Sequence, residues 1–118
     1  MTRILVVEDD RVHRKIIREI LAPHGYDVME AADGIEAIHM QRDHGFDLIL
    51  TDVVMPGVSG GDLAKQLKQA MPSLKVVFMS GYNDDEVMRH GVSSNETAFL
   101  QKPFTRDLLV KRIEEAMH

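Results

Sequence analysis

Charged and polar side chains in this sequence stand directly after short apolar runs. Asp52 follows the apolar residues 48–50, and Pro56 with Gly57 interrupts the chain soon afterwards. Because the run is too short for a typical helix, we interpret it as a buried strand that delivers a carboxylate at its carboxyl end. Ligands of parallel α/β sheets bind beyond that end of the strands. An Asp that begins a turn before a proline is equally common, so this stretch alone leaves the role of Asp52 open.

Three further apolar runs also end in polar groups. These groups are Glu8 and Asp9 after residues 3–7, Ser80 after residues 74–79, and Lys102 after residues 97–100. Since the carboxyl ends of parallel strands meet at one edge of a sheet, we expect these side chains to lie near Asp52. Neighbouring carboxylates repel each other, which favours a raised pKa or a bound cation.

Oxygen ligands without His or Cys favour a hard cation such as Mg²⁺. A carboxylate beside Mg²⁺ and an ammonium group is suited to accept a phosphoryl group, with Ser80 as an additional hydroxyl donor. Taken singly, each residue has a simpler explanation. Lys102 is then a solvated lysine, Ser80 a turn residue, and residues 8–10 an acidic run at a helix N-terminus. Their expected joint placement favours the chemical interpretation.

The elements that must position these groups are predicted from hydrophobic periodicity. Strands are predicted over residues 3–7, 26–31, 48–52, 74–79 and 97–100. Helices are predicted over residues 12–21, 33–45, 59–71, 82–96 and 108–117, with capping signatures at Asp33 and Ser59. The polar segment 82–96 is expected to be the shortest and most mobile helix. Alternating strands and helices predict an α/β fold whose parallel sheet is covered by helices on both faces.

Composition narrows the class of protein. The chain has 118 residues, of which 44% are hydrophobic and 28% charged, so we expect one domain over residues 1–118. A net charge of −5 argues against direct nucleic-acid binding, and the absence of cysteine excludes disulfides and thiolate metal sites. No apolar stretch has the length of a signal peptide core or a membrane span, so we expect a cytoplasmic protein without membrane contact.

Four motifs occur together and in order. They are ILVVEDD at residues 4–10, TDVVMP at residues 51–56, MSGY at residues 79–82 and LQKPF at residues 100–104. With these motifs, essentially the whole chain resembles the receiver domain of two-component response regulators. The resemblance implies a three-layer, flavodoxin-like (βα)5 fold, which is a doubly wound parallel sheet with strand order 2-1-3-4-5.

The resemblance also implies a role for each site residue. Asp52 would accept a phosphoryl group from a partner's phosphohistidine, with Mg²⁺ or Mn²⁺ as the cofactor. The implied metal ligands are Asp9 and Asp52 directly, Glu8 through water, and the backbone carbonyl of Val54. The other implied site groups are Lys102 and Ser80 at the phosphoryl group, a cis peptide before Pro103, and Phe99 at the aromatic switch position. Such a domain is a signalling switch and not an enzyme.

Some positions depart from the commonest forms of the family. Ser80 replaces a frequent threonine, Glu8 replaces a frequent aspartate, and Phe99 lacks the hydroxyl of a tyrosine. Val54 and Tyr82 stand where the family flanks the path of the water that attacks the acyl phosphate. Because neither is an amide or a carboxylate able to position that water, we predict slow self-dephosphorylation.

The implied partner is a sensor or hybrid histidine kinase, or a histidine phosphotransfer protein. Four cations make the first predicted helix basic and favour docking there, although a solvated helix face explains them too; they are Arg11, Arg14, Lys15 and Arg18. Output is expected through the surface of the fourth predicted helix, the fifth strand and the fifth predicted helix, as a monomer or a phosphorylation-dependent dimer. Two motifs resemble receivers of hybrid histidine kinases, whereas residues 1–3 resemble a natural start and favour a free-standing regulator.

An Asp at the end of a strand in an α/β fold is also compatible with two functions other than that of a receiver. A haloacid dehalogenase-like phosphatase also uses an Asp nucleophile, but it needs a second Asp two residues later, where this chain has Val54. A flavodoxin-like cofactor binder needs a glycine-rich phosphate loop after the first strand. Here residues 8–10 are acidic and would repel a phosphate without a metal.

Overall fold

A computed structural model of the chain describes residues 2–55, 57–81 and 98–117. The strands are β1 (Arg3–Val7), β2 (Asp27–Ala31), β3 (Leu48–Asp52), β4 (Lys75–Ser80) and β5 (Ala98–Gln101). The described helices are α1 (Arg11–Leu21), α2 (Gly34–His44), α3 (Gly60–Ala70) and α4 (Arg106–Met117). The five strands form one parallel sheet in the order β2-β1-β3-β4-β5, which confirms the expected fold class and strand order. The helix predicted over residues 82–96 lies outside the described residues.

Side-chain caps fix where the helices begin. The Asp33 carboxylate accepts a hydrogen bond from the Glu36 amide, and the Ser59 hydroxyl accepts one from the Asp62 amide, as the capping signatures indicated. Asp10 caps α1 in the same way, accepting from the amides of the second and third helical residues. A short 3-10 turn over Ala22–His24 follows α1, and Gly25 closes it with a positive φ of 89°.

Two strands lie one residue later in the chain than hydrophobicity predicts. The ladder between β4 and β5 continues through the pair Ser80 and Gln101, so both strands end in polar residues. β4 starts at Lys75 and β5 at Ala98, one residue after the predicted starts. A hydrophobic pattern stops at the last apolar side chain, whereas backbone pairing does not. Ser80 is therefore part of the sheet and does not follow it.

The sheet separates two hydrophobic cores. Residues of β1 alternate between them, since Ile4 and Val6 face one core while Leu5 and Val7 face the other. The first core, here called the α1/α4 core, includes Ile17, Leu21, Leu109 and Ile113 from the helices. The second, the α2/α3 core, includes Ala37, Leu63, Ala64 and Leu67. No helix in the described part of the chain has the length and apolar character of a membrane span.

Backbone pairing extends past the strands at the carboxyl edge of the sheet. The Glu8 amide donates to the Ala31 carbonyl over 3.1 Å, and the Val53 amide donates to the Met79 carbonyl over 3.0 Å. The Lys102 amide donates to the Ser80 carbonyl over 2.9 Å. The residues that carry the candidate chemistry are thus held by the sheet itself.

Candidate functional site

A cavity of about 300 Å³ opens at the carboxyl edge of the sheet. It is lined by Glu8, Asp9, Asp52, Val54, Met79, Ser80, Gly81 and Lys102. The polar groups that follow β1 and β5, and those that end β3 and β4, therefore meet in a single concave site. Tyr82, the other residue predicted to tune the site, lies outside the described residues.

The Lys102 ammonium joins two buried carboxylates of this cavity. Its Nζ atom lies 2.6 Å from Asp52 Oδ1 and 2.8 Å from Glu8 Oε2. Burial works to lower the pKa of Lys102, but hydrogen bonds to Asp52 and Glu8 outweigh burial and raise that pKa. Lys102 is therefore a fixed cation of the site, and the peptide bond between it and Pro103 is cis.

Glu8 is 2% exposed and is surrounded by donors. Its Oε2 atom accepts from Lys102 and from His13 Nδ1, 2.8 Å away in each case, while its Oε1 atom accepts from the Asp10 amide at 3.2 Å. Burial works to raise the pKa of Glu8, but its hydrogen bonds, first with Asp52 and then with Lys102, hold the pKa well below its usual range. Glu8 is thus a carboxylate in the folded protein.

Asp52 has the opposite character, although it is 5% exposed and lies beside the same lysine. Burial and the neighbouring Glu8 raise the pKa of Asp52 to about 8, against the opposing effect of Lys102. The metal-free carboxyl pair therefore favours a bound proton, because burial and mutual repulsion oppose two negative charges. A second cation in the cavity favours its ionised form.

A divalent cation fits the carboxylates of the cavity. Oxygen atoms of Glu8, Asp9 and Asp52 all lie within 4.8 Å of one another, and Asp9 is exposed to solvent. Three carboxylates with access to water match a hard ion such as Mg²⁺, which keeps several of its waters. Val54 lines the same cavity as a partly buried residue, two positions after Asp52 in the chain.

The remaining predicted site residues lie on or near β4 and β5. Ser80 is buried and lines the cavity. Phe99 is partly buried, and its ring centroid lies 5.8 Å from that of Phe78, on the side of the α2/α3 core. The Arg112 Nε atom donates to the Phe99 carbonyl over 2.8 Å, which ties β5 to α4.

The four cations of α1 fall into two groups. Arg14 and Arg18 both pair with Glu30 of β2 at 3.3 Å, and Arg14 also donates to the Glu8 carbonyl over 2.7 Å. Arg11 and Lys15 are exposed, and neither side chain has an ion pair or hydrogen bond with the described part of the chain. Arg14 therefore binds the backbone of a cavity residue, whereas the side chains of Arg11 and Lys15 are exposed to solvent.

Sequence reasoning gave no role to two residues that touch the site residues. His13 contacts Glu8. This contact could not be predicted from the sequence, because it depends on Asp10 capping α1, which places His13 in the first helical turn beside the end of β1. Gly60 packs against the backbone of Asp52, and a Cβ atom there would overlap the Asp52 carbonyl oxygen. The glycine pair after Ser59 was the available signal, since glycine in a first helical turn often marks a close backbone approach.

Comparisons with known proteins agree with this architecture. Residues 4–114 match the family model described as the response regulator receiver domain. The sensor kinase CckA of Brucella abortus is 34% identical over 116 residues, which are 97% of this chain and 12% of that protein. The response regulator receiver protein CpdR of the same species is 32% identical over 117 residues, covering 99% of this chain and 98% of CpdR.

A solved structure of the Vibrio cholerae chemotaxis protein CheY4 has a TM-score of 0.88 and 28% sequence identity, with 98% of each chain covered. The parallel five-stranded sheet, the acidic cavity at its carboxyl edge and the match over residues 4–114 lead to one conclusion. The chain belongs to the family of response regulator receiver domains of two-component systems.

Proposed function

We propose that this chain is a phosphoaccepting switch in which Asp52 takes a phosphoryl group from the phosphohistidine of a kinase or phosphotransfer protein. One observation carries the proposal. Asp52 lies in a cavity in contact with Lys102, and its carboxylate is within 4.8 Å of oxygens of Glu8 and Asp9. A nucleophile, a fixed cation and a cation-binding carboxylate pair thus share one solvent-accessible site.

In the proposed reaction, an Asp52 carboxylate oxygen attacks the phosphorus atom while the N–P bond of the donor imidazole breaks. The bonding electrons leave with the imidazole nitrogen, which takes up a proton. Lys102 holds a phosphoryl oxygen after releasing Asp52, and the Ser80 hydroxyl donates to another. Glu8, Asp9, Asp52 and the Val54 carbonyl are the proposed ligands of Mg²⁺ or Mn²⁺, which neutralises negative charge on the transferred group.

The test uses acetyl phosphate as the phosphoryl donor, with Mg²⁺, and intact-protein mass spectrometry. We expect a mass gain of one phosphoryl group that is lost in Asp52→Asn and when the divalent cation is chelated. Asp47→Asn is the control, because Asp47 precedes the same strand at the opposite edge of the sheet. Labelling that survives Asp52→Asn, or release of phosphate without any accumulated phosphoprotein, would contradict the proposal.

A slow loss of the phosphoryl group belongs to the same proposal. Val54 lines the cavity but offers no side-chain hydrogen bond to an attacking water. We expect Val54→Asn to speed dephosphorylation of the purified domain, whereas Tyr82→Ala tests the second flanking position. The idea is wrong if both variants lose phosphate at the wild-type rate in the presence of Mg²⁺.

Docking of the phosphodonor is proposed at α1. Because Arg14 holds the Glu8 carbonyl, its substitution disturbs the cavity itself, so the informative charge reversals are Arg11→Glu and Lys15→Glu. These variants are expected to slow transfer from the protein donor while labelling by acetyl phosphate stays normal. Unchanged transfer from the protein donor would rule out this surface.

We infer that the phosphorylated chain signals through a surface formed by the helix predicted over residues 82–96, β5 and α4, with the Phe99 ring as the coupling group. The proposed partner at this surface is a protein and not nucleic acid. We further propose that residues 1–118 form one receiver domain and that this domain is cytoplasmic. It is a monomer or a phosphorylation-dependent dimer. A two-dimensional NMR comparison with and without acetyl phosphate tests the output surface, since shifts absent from β5 and α4 contradict it.

A further inference from the structure

His13 lies between the acidic cavity and the loop that follows Lys102. It is the third residue of α1, and its Nδ1 atom is 2.8 Å from Glu8 Oε2. The same ring also lies near that of Phe104, with centroids 5.6 Å apart and planes inclined by 39°. The His13 side chain is 26% exposed, compared with 2% for Glu8, so a partly exposed ring contacts a buried carboxylate.

The direction of the hydrogen bond follows from the neighbours of Glu8. Oε2 accepts from the Lys102 ammonium at 2.8 Å and Oε1 accepts from the Asp10 amide at 3.2 Å, so both carboxylate oxygens of Glu8 act as acceptors. His13 must therefore carry a hydrogen on Nδ1 and donate it, whether the ring is neutral or charged. The Asp10 amide holds the other carboxylate oxygen at 3.2 Å, and both oxygens are fixed by the start of α1.

We propose that His13 is a positioning residue, which Phe104 packs against and which holds Glu8 in the orientation that serves the divalent cation of the Asp52 cavity. The inference rests on the proposed function, because it takes the acidic cavity to bind a metal. Outer partners of ligating carboxylates generally fix the ligand's orientation, and losing such a partner weakens metal binding about 10- to 100-fold.

A purely electrostatic role for His13 predicts the opposite result. A positive ring beside the carboxylates repels a divalent cation, so removing it would strengthen metal binding. A purely structural role predicts a loss of stability with no change in metal affinity. Weaker metal binding therefore indicates positioning, tighter metal binding indicates an electrostatic role, and lower stability with unchanged metal affinity indicates a structural role.

The experiment measures Mn²⁺ binding by electron paramagnetic resonance, which counts the free ion, in variants that separate the donor from the ring. His13→Phe keeps a ring against Phe104 and removes the donor, and it is expected to weaken Mn²⁺ binding about tenfold. His13→Asn places an amide N–H near the position of Nδ1, and its affinity should stay within about threefold of wild type. Each variant is also melted in EDTA.

His44→Phe is the matched control. Its ring also lies near a phenylalanine, with the centroids of His44 and Phe46 6.3 Å apart, but it stands at the end of α2 and does not line the cavity. We expect the same affinity as wild type. This control reports any general effect of exchanging a histidine for a phenylalanine.

Equal or tighter Mn²⁺ binding in His13→Phe would overturn the inference, and so would an equal loss in His13→Asn. If His13→Phe does not fold, His13→Leu removes the same donor and should weaken Mn²⁺ binding to a similar extent; unchanged binding there overturns the inference instead. Wild-type protein that binds no Mn²⁺ at Asp52, as judged against Asp52→Asn, would overturn the metal part of the proposed function and this inference with it. Wild-type binding that His13→Phe leaves unchanged would overturn this inference alone.

Discussion

At the residue scale, the site contains two buried carboxyl groups whose pKa values are shifted in opposite directions. Glu8 is stabilised as an anion by several donors, whereas burial and Glu8 itself raise the pKa of Asp52 to about 8. The sequence allowed Asp52 and Lys102 to be singled out because each follows an apolar run and breaks its pattern. His13 broke no pattern, since a polar residue in the first turn of a charged helix is ordinary.

The raised pKa of Asp52 predicts a pH-dependent stability of the metal-free protein. A carboxyl whose pKa is higher in the folded than in the unfolded chain stabilises the fold at low pH, and this contribution is lost as the pH rises to the folded value. Relative to Asp52→Asn, wild-type protein in EDTA should therefore lose up to about 4 kcal/mol between pH 5 and about pH 8, at about 1.4 kcal/mol per pH unit. Urea unfolding at several pH values measures the difference.

Asp43→Asn, an exposed position on α2, is the control for this series and should track wild type across the range. A difference between wild type and Asp52→Asn that stays constant with pH would contradict the raised pKa. A difference of the opposite sign, with wild type gaining stability as the pH rises, would mean that Lys102 dominates the electrostatics of the site.

At the element scale, the order and type of the described elements were predictable, and some of their contacts were not. Capping residues such as Asp33 and Ser59 identify helix starts because their side chains satisfy amides within one turn. The one-residue shift of β4 and β5 was not predictable, because pairing through Ser80 and Gln101 depends on two strands at once. The approach of α3 to Asp52 likewise depends on tertiary packing.

That approach leads to a prediction for Gly60. A methyl group at this position would overlap the Asp52 carbonyl oxygen and lie 2.9 Å from Val53 Cα, both of which are backbone atoms that cannot rotate away. Gly60→Ala is therefore expected to destabilise the fold by about 1–3 kcal/mol or more, as overpacking of a rigid region does. It should also reduce labelling by acetyl phosphate, because the backbone of Asp52 must shift.

The measurement is urea unfolding together with the mass-spectrometric labelling assay. Gly81→Ala is the matched control, since Gly81 also lies at the cavity but an added Cβ would meet no atom of the described residues within 4 Å. It should unfold like wild type. Wild-type stability and labelling in Gly60→Ala would show that α3 can retreat from β3 at little cost.

At the scale of the whole molecule, the cavity is attached to a sheet that both cores share. A cation that binds the folded cavity and not the unfolded chain stabilises the entire domain, by about 2.7 kcal/mol at a concentration one hundred times its dissociation constant. We expect a higher melting temperature in Mg²⁺ than in EDTA for wild type. Asp9→Asn should show little of this increase, because it removes a carboxylate of the predicted ion site.

Differential scanning calorimetry in the two buffers measures the effect. Asp62→Asn is a control that changes the net charge equally on α3, away from the cavity lining, and it should keep the full Mg²⁺ response. An equal increase in Asp9→Asn would indicate that Mg²⁺ acts on the overall charge of the acidic chain and not through this cavity.

The backbone pairing that continues beyond the strands has a consequence for hydrogen exchange. The amides of Glu8, Val53 and Lys102 are all bonded to carbonyl groups of neighbouring strands. Such amides exchange with solvent deuterium only when the sheet opens, so their protection factors should equal those of the β1 and β3 interiors. The backbone amides at the base of the cavity are then among the most slowly exchanging in the described chain. A ligand bound there is expected to move side chains while this hydrogen-bonded backbone keeps its position.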